Sequence, residues 1–407
     1  MSTNILKKNL PSFCSSNFDV LKIIMVFSKL NNFPILIEST SNQVNQHGGY
    51  TGLTPLKFSK KIFNLSSSLK LDKKKILLGG DHLGPLPWKN LNIKKALSNA
   101  RVLVKNCLEA NYKKIHIDTA IMCKGENRIS RDDIVSRCGS ILSKIKKRKL
   151  NNIFIVVGTE VPFAGGGQDS KIIPTKTSSI IEEFKQYKFL FKKIKLKKNK
   201  KFSLVIEPGI EFFHNKVKKS KLRNFKTKLN FSIKNKFSFE AHSSDYQKEN
   251  DLKRLVKHNF QFLKVGPELT YNFSKAIFSM ENTEKKLFKR SSNLKSKILK
   301  EMNKNKKYWK DYYKGGQKKI EYLKLNSYLD RIRYYWNIKE IKNSKLILEK
   351  NINKIENSNF LRIFKLNKRE ILIMRKMKLK NFDMVIFIFL SKTLEKYYRA
   401  CGFKTKN

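Results

Sequence analysis

Short apolar runs that end in an acidic residue, a histidine or a glycine recur along the first 270 residues, and this repetition constrains the fold most. The clearest run, at residues 76–78, leads through two glycines to Asp81 and His82. Eight segments have this strand-like character: residues 11–15, 34–40, 75–82, 114–119, 153–160, 203–208, 237–243 and 260–267. In parallel α/β folds the chemistry collects at the carboxyl ends of the strands. The polar ends of these segments therefore predict one shared site.

Helical periodicity fills most of the intervals between the strand-like segments. Between residues 92 and 110, for example, apolar side chains recur at the three- and four-residue spacing of a single helix face. Eight strand–helix units in residues 1–280 match a (β/α)8 TIM barrel in number and length. A doubly wound sheet stays open as an alternative, because periodicity does not show whether a sheet closes.

The C-terminal third has a different character, because strand signals fade beyond about Met280. We therefore predict a barrel in residues 1–280 and a mainly helical, lysine-rich extension in residues 281–407 that packs on it. Within the extension, Arg331 and Arg333 alternate with apolar or aromatic residues up to Trp336. This pattern predicts a partly buried segment whose two arginines and tryptophan pack against the barrel.

The formal net charge of +56 invites a nucleic-acid interpretation. Only 14 of the 88 basic residues are arginines, however, and the lysines are spread along the whole chain. Specific nucleic-acid readers favour arginine for its bidentate geometry. We therefore interpret the charge as a solvated surface, and a polyanion-binding protein is kept only as a remote alternative.

The five cysteines form no CxxC pair, which argues against a disulfide framework and for a reducing compartment. The N-terminal sequence MSTNILKKNLPSF lacks the apolar core of a signal peptide. The longest apolar runs are too short to span a bilayer. We expect a soluble, cytoplasmic protein that does not act at a membrane.

Two histidines, His82 and His242, stand directly at predicted strand ends. With a carboxylate, Glu160 or Glu207, they would form the two-histidine-plus-acid set that suits Zn²⁺ or another divalent cation. Asp81 beside this set would be a proton donor. Such a site fits chemistry in which a metal polarises a ketose carbonyl and stabilises an enediolate.

Further candidate catalytic carboxylates lie at the ends of the fourth and fifth segments. Asp118 ends the fourth, where His116 either shares its face or is a packed core histidine. Glu160 ends the fifth and is followed by three glycines, a composition that suggests a mobile active-site loop. We therefore name Asp81, Asp118 and Glu160 as the candidate catalytic residues.

Candidate substrate-binding residues follow the second segment and end the eighth. Asn42 and Gln43 can bond sugar hydroxyls, and Gly48 and Gly49 let backbone amides approach an anion closely. A simple polar turn is an equally good interpretation of this loop. Lys264, at the end of the eighth segment, would face the same site.

Eight motifs spread over the chain carry a resemblance to a known family. They are IESTSNQVNQHGGYTG, GGDHLGP, GTEVP, EPGIEF, FEAHSSDYQ, LKVGP, YLDRIRYYW and YRACG. Together they resemble the tagatose-bisphosphate aldolase Z subunit family, of the GatZ/KbaZ type. That family is related to the zinc-dependent class II ketose-bisphosphate aldolases, which are (β/α)8 barrels.

The resemblance implies roles for several residues. Asp81 matches the proton-donor aspartate of the catalytic relatives, and His82 and His242 match two of their three zinc-binding histidines. The third falls at the sixth strand's end, where this sequence has Glu207. That departure either weakens the metal site or replaces imidazole with carboxylate, and it agrees with the family's reputation as a non-catalytic subunit. The relatives hold a substrate phosphate at rims matched by Gly209, Ser243, Ser244 and Gly266.

Three hypotheses follow. The first is an accessory subunit that supports a separate catalytic class II aldolase subunit acting on tagatose 1,6-bisphosphate, in galactitol or amino-sugar breakdown. The second is an enzyme in its own right, a metal-dependent aldolase or C4 epimerase of tagatose or fructose phosphates. The third is the polyanion-binding protein. The family is also labelled tagatose-6-phosphate kinase, but the sequence contains neither a GxxxxGK[ST] loop nor the kinase signature set.

Overall fold

The eight predicted strands form one closed barrel of parallel strands. The computed structural model describes residues 5–159, 172–196, 201–220, 222 and 225–405. The barrel strands are β1 (Leu10–Cys14), β2 (Ile35–Thr40), β3 (Ile76–Asp81), β4 (Lys114–Ile117), β5 (Phe154–Val157), β6 (Phe202–Val205), β9 (Ser238–Ala241) and β10 (Phe260–Val265). They pair in that order, and β10 closes the barrel on β1. The predicted TIM barrel is confirmed, and the doubly wound alternative is wrong.

A short antiparallel ribbon interrupts the barrel sequence after β6, formed by β7 (Glu211–Phe212) and β8 (Val217–Lys218). The helices that follow barrel strands, or lie between them, are Phe18–Asn31, Pro55–Ser68, Ile93–Glu109, Arg131–Leu142, Lys147–Asn151, Thr177–Lys193, Lys226–Lys234, Glu249–Lys257 and Pro267–Leu287. Most of them carry their apolar side chains toward the sheet, as the 3.6-residue periodicity predicted.

The C-terminal extension is helical, as predicted. Its helices are Leu294–Lys304, Gln317–Asn326, Lys339–Asn353, Asn357–Ile363, Lys368–Met377 and Asn381–Ala400. In the described part of the chain no strand follows β10. None of the described helices combines the length and apolar character needed to cross a bilayer. The helix Pro267–Leu287 runs across residue 280, and the division into two domains stays a prediction.

The last helix joins the extension to the start of the barrel. Tyr398 donates its hydroxyl to the carbonyl of Pro34 at 2.9 Å, and its ring stacks on Phe27 with centroids 5.8 Å apart. Earlier in the extension, Arg331 is only 2% exposed and Trp336 only 8% exposed. The prediction that this segment is partly buried is therefore confirmed.

The barrel interior is built in layers, because side chains alternate between the two faces of each strand. An apolar plug fills the lower part, formed by Leu10, Leu36, Leu77, Phe154, Val156, Val205 and Phe262. Two residues further along the same strands, Glu38 follows Leu36 and Lys264 follows Phe262, and both are buried. The strand period thus places a layer of charged side chains directly above an apolar floor.

Gly79 of β3 makes room for this charged layer. It pairs with Glu38 of β2, and a Cβ at Gly79 would lie 2.7 Å from the Glu38 Oε1. Glu38 pairs with the buried ammonium of Lys114. A Gly79→Ala variant should displace the carboxylate from that ammonium and lower the free energy of unfolding by about 1–3 kcal/mol. Chemical unfolding monitored by circular dichroism measures this.

Gly316→Ala is the matched control, because nothing lies within 4 Å of a Cβ built at that residue. It should change stability by less than about 0.5 kcal/mol. Equal stability of the two variants would show that the glycine is not needed to accommodate the Glu38 carboxylate.

Candidate functional site

A cavity of about 670 Å³ opens at the carboxyl ends of the barrel strands. Its volume lies within the range of about 300–1,000 Å³ that is usual for small-molecule sites. Nine of the predicted site residues line it: Asn42, Gln43, Asp81, His82, Asp118, His242, Ser243, Lys264 and Gly266. Residues that the sequence did not predict for the site also line it: Cys14, Tyr50, Tyr312, Arg331, Arg333 and Tyr334.

Three imidazoles meet at the inner end of the cavity. His82 follows β3, His116 lies within β4 and His242 follows β9. Their ring centroids form a triangle with sides of 5.0, 5.0 and 5.1 Å. Imidazoles that share one tetrahedral zinc ion have centroids about 5 Å apart, given Zn–N bonds of about 2.0–2.1 Å. The spacing therefore fits a three-histidine zinc site.

His116 has the properties of a metal ligand. Its Nδ1 lies 2.9 Å from Asp81 Oδ1, and its buried Nε2 has no hydrogen-bond partner in the described part of the chain. Burial and the neighbouring Lys264 ammonium lower the pKa of His116 to about 4, so the ring is neutral. A proton shared between Nδ1 and the carboxylate leaves the lone pair on Nε2 available. The sequence left this residue open between core and site, and its geometry favours the site.

His82 is positioned by a carboxylate. Its Nδ1 lies 2.7 Å from Asp118 Oδ2, while the other Asp118 oxygen accepts the amide of Ala120 at 3.1 Å. Burial alone would lower the pKa of His82, but Asp81 and Asp118 raise it. Asp118 thus orients the ring in the way that carboxylates orient metal-binding histidines. An imidazole that binds a metal gives up its proton.

His242 completes the inner cluster. Its Nε2 lies 3.1 Å from Glu240 Oε1, and burial together with Lys264 lowers its pKa to about 3. Ligand atoms of Asp81, His116, Glu240 and His242 all lie within 4.8 Å of one another. Nitrogen and carboxylate donors at this spacing are a set that Zn²⁺ accepts. His82 stands outside this tightest group, although its ring centroid belongs to the imidazole triangle.

Two buried lysines neutralise the carboxylates beneath the histidines. The Lys114 ammonium pairs with Glu38 and lies 2.6 Å from Glu240 Oε2. The Lys264 ammonium pairs with Asp81 and lies 2.9 Å from Glu240 Oε1. Burial alone would lower the pKa of each lysine, but these carboxylates raise it, so both lysines are charged.

Asp81 is ionised in this setting. Burial alone would raise its pKa, but His82 and Lys264 hold it well below its usual value. Cys14 Sγ lies 3.8 Å from Asp81 Oδ2, and burial with this negative neighbour raises the thiol pKa, so Cys14 is a neutral thiol. An ionised Asp81 must accept a proton before it can donate one.

Glu207, the predicted carboxylate ligand, lies outside the four-residue donor group. Its Oε1 accepts the amides of Gly209 at 2.6 Å and Ile210 at 3.1 Å. Neither Glu207 nor Gly209 is among the residues that line the cavity. Among the described residues, a ligand atom of His116, and none of Glu207, belongs to that group. Glu160 lies outside the described residues, and its role stays a prediction.

The glycine pair after β2 is needed for the conformation of the loop in which it lies. The Gly48 amide donates to the carbonyl of Asn45 at 2.9 Å, and the Gly49 amide donates to the Asn45 side chain at 3.1 Å. Both glycines have positive φ, and a Cβ at Gly49 would lie 2.5 Å from the Gln43 carbonyl oxygen. The glycines are therefore needed for the turn, whereas Asn42 and Gln43 reach the cavity.

The two predicted phosphate-binding serines have partners within the chain. Ser243 donates its hydroxyl to Glu211 Oε2 at 3.2 Å, and Ser244 donates to the carbonyl of Lys264 at 2.5 Å. Ser243 lines the cavity, and Ser244 is not among the lining residues. A phosphate would therefore have to compete with Glu211 for the Ser243 hydroxyl.

The Gly266 rim holds a carboxylate of the chain itself. Asp245 Oδ1 accepts the amides of Gly266 at 2.9 Å and Glu268 at 2.8 Å, at the start of the helix Pro267–Leu287. Helix N-termini attract anions, so this carboxylate sits where a phosphate would bind. Burial and the Glu268 carboxylate raise the pKa of Asp245 to about 7.

Three solved structures match this chain to different degrees. A crystal structure of a probable tagatose 6 phosphate kinase from Sinorhizobium meliloti 1021 matches with a TM-score of 0.83 and 25% identity, covering 97% of this chain and 100% of that chain. A fructose-bisphosphate aldolase (Fba) from Campylobacter jejuni matches with a TM-score of 0.46 and 14% identity, covering 93% of each chain. The YdjI aldolase from Escherichia coli K12 matches with a TM-score of 0.43 and 9% identity, covering 85% of this chain and 94% of that chain.

A family model covers nearly the whole sequence. The model described as D-tagatose-1,6-bisphosphate aldolase subunit GatZ/KbaZ-like matches residues 3–402. The motifs that carried the resemblance, from the loop after β2 to the last helix, all lie within this match. The chain therefore belongs to the D-tagatose-1,6-bisphosphate aldolase subunit GatZ/KbaZ-like family.

Proposed function

We propose that the barrel mouth is a metal-dependent site for retro-aldol chemistry on a ketose phosphate, giving cleavage or C4 epimerisation. The triangle of His82, His116 and His242 carries this proposal. The hypothesis of a non-catalytic chain relied on the whole-chain resemblance together with a histidine missing at the sixth strand. His116 offers that third imidazole from the fourth strand instead. The family description supports tagatose 1,6-bisphosphate as the first substrate to test.

The chain's own residues can carry the proton transfers of such a reaction. A divalent cation held by the three histidines, Zn²⁺ in the first instance, would polarise the ketose carbonyl. Asp81, being ionised, accepts the C4 hydroxyl proton as the C3–C4 bond breaks to an aldehyde and an enediolate. Asp81 then returns that proton to C3 of the enediolate. The Lys264 ammonium beside it offsets the developing negative charge.

Epimerisation needs one change to this scheme. If the aldehyde turns before the enediolate attacks it again, the new C3–C4 bond forms on its opposite face. Asp81 then gives its proton to the C4 oxygen, and the product is the C4 epimer of the starting ketose. Cleavage and epimerisation therefore share the same residues and differ in whether the aldehyde leaves.

A second function, an accessory subunit, is favoured by the position of Lys264. Its ammonium pairs with Asp81 and Glu240 and lies 3.4 Å from His116 Nδ1. An internal cation on these groups can stabilise the cluster without a metal. In that case the chain would support a separate catalytic class II aldolase subunit. In either role we place it in carbohydrate breakdown, of galactitol or amino sugars, and the free cysteines fit a reducing cytoplasm.

Turnover by the isolated chain separates the two functions. The purified full chain, loaded with Zn²⁺, Mn²⁺ or Ni²⁺, is incubated with tagatose and fructose 1,6-bisphosphates, and triose phosphates and C4 epimers are measured by NMR. Asp81→Asn should lower the rate at least about 100-fold, as expected for loss of a general acid–base.

The control is Asp132→Asn, which changes an exposed aspartate and should leave the rate unchanged. If the isolated chain is inert with every metal but raises the activity of a class II aldolase partner, the accessory function replaces the enzymatic one. If Asp81→Asn and the control turn over equally, Asp81 is not the proton-transfer group.

A further inference from the structure

A carboxylate of the chain occupies one end of the cavity, at the start of a helix. Asp245 is only 3% exposed, and it lines the cavity together with Gly266 and Pro267. Its Oδ1 accepts the amides of Gly266 at 2.9 Å and Glu268 at 2.8 Å. Amides at the start of a helix have no partner within the helix. The anion-binding position of the helix Pro267–Leu287 is therefore already filled from within the chain.

The backbone on each side of Asp245 is anchored. The carbonyl of Ser244 accepts the hydroxyl of Tyr397 at 2.6 Å, which ties this side to the last helix. On the other side, the Tyr246 amide donates to Glu268 Oε2 at 2.6 Å. The fold therefore holds Asp245 beside the two amides, and a ligand can reach them only if the side chain itself turns away.

The second oxygen of Asp245 can accept a further hydrogen bond. Both amides bind Oδ1, and among the described residues no group donates to Oδ2. A carboxylate oxygen that lines a cavity is an acceptor for the hydroxyl group of a sugar. It is not a partner for a phosphate group, because the outer oxygens of a phosphate are acceptors as well and carry negative charge.

The charges around Asp245 strengthen this preference. Two nearby lysines are engaged with other carboxylates, since Lys396 pairs with Glu268 at 2.5 Å and Lys264 pairs with Asp81. Burial and the Glu268 carboxylate raise the pKa of Asp245 to about 7, so the group is mostly ionised at pH 8. Two negative charges at short range repel each other more strongly in a buried site than in water.

We propose that Asp245 is a specificity-determining residue, which excludes a phosphate group from this end of the cavity and accepts a sugar hydroxyl there. The ligand is a ketose whose end at Gly266 is an uncharged hydroxymethyl group, so a ketose monophosphate is preferred to a bisphosphate. This inference rests on the proposed function for its sugar, but the exclusion of phosphate from the helix amides does not require turnover. It departs from the expectation, carried by the resemblance, that the Gly266 rim holds a substrate phosphate.

Equilibrium binding to the full chain tests this role. Titration calorimetry at pH 8, without added metal, compares fructose 1,6-bisphosphate, fructose 1-phosphate, fructose 6-phosphate and inorganic phosphate. The wild-type chain should bind one of the monophosphates at least as tightly as the bisphosphate. Asp245→Ala frees the two amides and should raise the affinity for the bisphosphate, relative to that monophosphate, about ten- to a hundredfold, as for a gain of hydrogen bonds to a charged group. The same variant should gain affinity for inorganic phosphate.

Asp245→Asn separates the charge of the side chain from its place at the amides, and it keeps the test open if the alanine variant does not fold. The asparagine oxygen can still accept both amides, so the preference should move toward the bisphosphate by less than in Asp245→Ala. Asp311→Ala is the matched control, because Asp311 is an exposed carboxylate that lines the same cavity. Solvent screens an exposed charge, so this control should leave the preference between bisphosphate and monophosphate unchanged.

The results separate this role from the proposed function. A gain of inorganic phosphate binding in Asp245→Ala would support the exclusion of phosphate, even if the wild-type chain turns over no sugar. A wild-type chain that binds the bisphosphate at least about tenfold more tightly than both monophosphates would overturn it, even if that chain proves to be an aldolase. It would also be overturned if neither Asp245 variant differs from the control with any of the four ligands.

Discussion

A His116→Ala variant is expected to bind Zn²⁺ at least about 100-fold more weakly than the wild-type chain, beyond the 10- to 100-fold that loss of an outer-shell partner costs. The reason is that His116 has a buried Nε2 with no hydrogen-bond partner among the described residues, and its ring centroid lies 5.0 and 5.1 Å from those of His82 and His242. With two imidazoles left, a zinc ion loses one of its three nitrogen donors. Competition with a chromogenic chelator at fixed pH measures the affinity.

His47→Ala is the control for this measurement, because His47 is exposed in the loop after β2. It should bind Zn²⁺ as the wild type does. His242→Ala should lose as much affinity as His116→Ala, and circular dichroism checks that each variant is folded. If His116→Ala keeps wild-type affinity while His242→Ala loses it, the third ligand lies elsewhere, and Glu207 or Glu160 becomes the residue to replace.

The strands and their order were predictable because strands in this chain have a recognisable local sequence pattern. In β2, β3 and β5, three or four consecutive apolar residues end at an acidic residue or a glycine, and parallel packing then brings the strand ends to one rim. His82 and His242 were predicted from the same pattern, since each stands directly after the end of a predicted strand. Local pattern was sufficient wherever the functional residue stands at the end of a strand.

The local sequence pattern was not sufficient to assign His116 to the site. It lies inside β4, two residues before Asp118, so its side chain points to the barrel interior. A strand pattern does not distinguish an inward histidine that binds a ligand from one that is packed. The difference appears only when β3 and β9 bring His82 and His242 to within 5.0 and 5.1 Å of its ring.

The charged layer beneath the histidines was missed for the same reason. Lys114 of β4 pairs with Glu38, 76 positions away in sequence, and with Glu240 of β9, which is also distant in sequence. Such pairs depend on barrel closure and strand register, which no short motif contains.

The glycine pair after β2 is the opposite case. Its motif was recognised, but the Asn45 side chain takes the Gly49 amide that a phosphate would have needed.

A Lys114→Met variant is expected to lower the free energy of unfolding by about 3–5 kcal/mol, the usual cost of breaking a buried ion pair by removing one partner. Lys114 is fully buried, and its ammonium touches both Glu38 and Glu240 above the ring of Phe262. Methionine fills a similar volume. Most of the lost stability therefore comes from Glu38 and Glu240, which are left with Lys264 as their positively charged partner. Urea unfolding followed by circular dichroism measures it.

Lys253→Met is the control, because this lysine forms a half-exposed pair with Glu249 on one helix face. Its loss should cost less than about 1 kcal/mol. The double variant Lys114→Met with Glu240→Gln should recover part of the stability, because it removes one of the two carboxylates that Lys114 neutralised. If the Lys114→Met variant is as stable as the control, Glu38 is protonated in the folded chain. This would agree with the way burial raises the pKa of Glu38. The charged layer would then carry one negative charge fewer beneath the histidines, and its attraction for a divalent cation would be weaker.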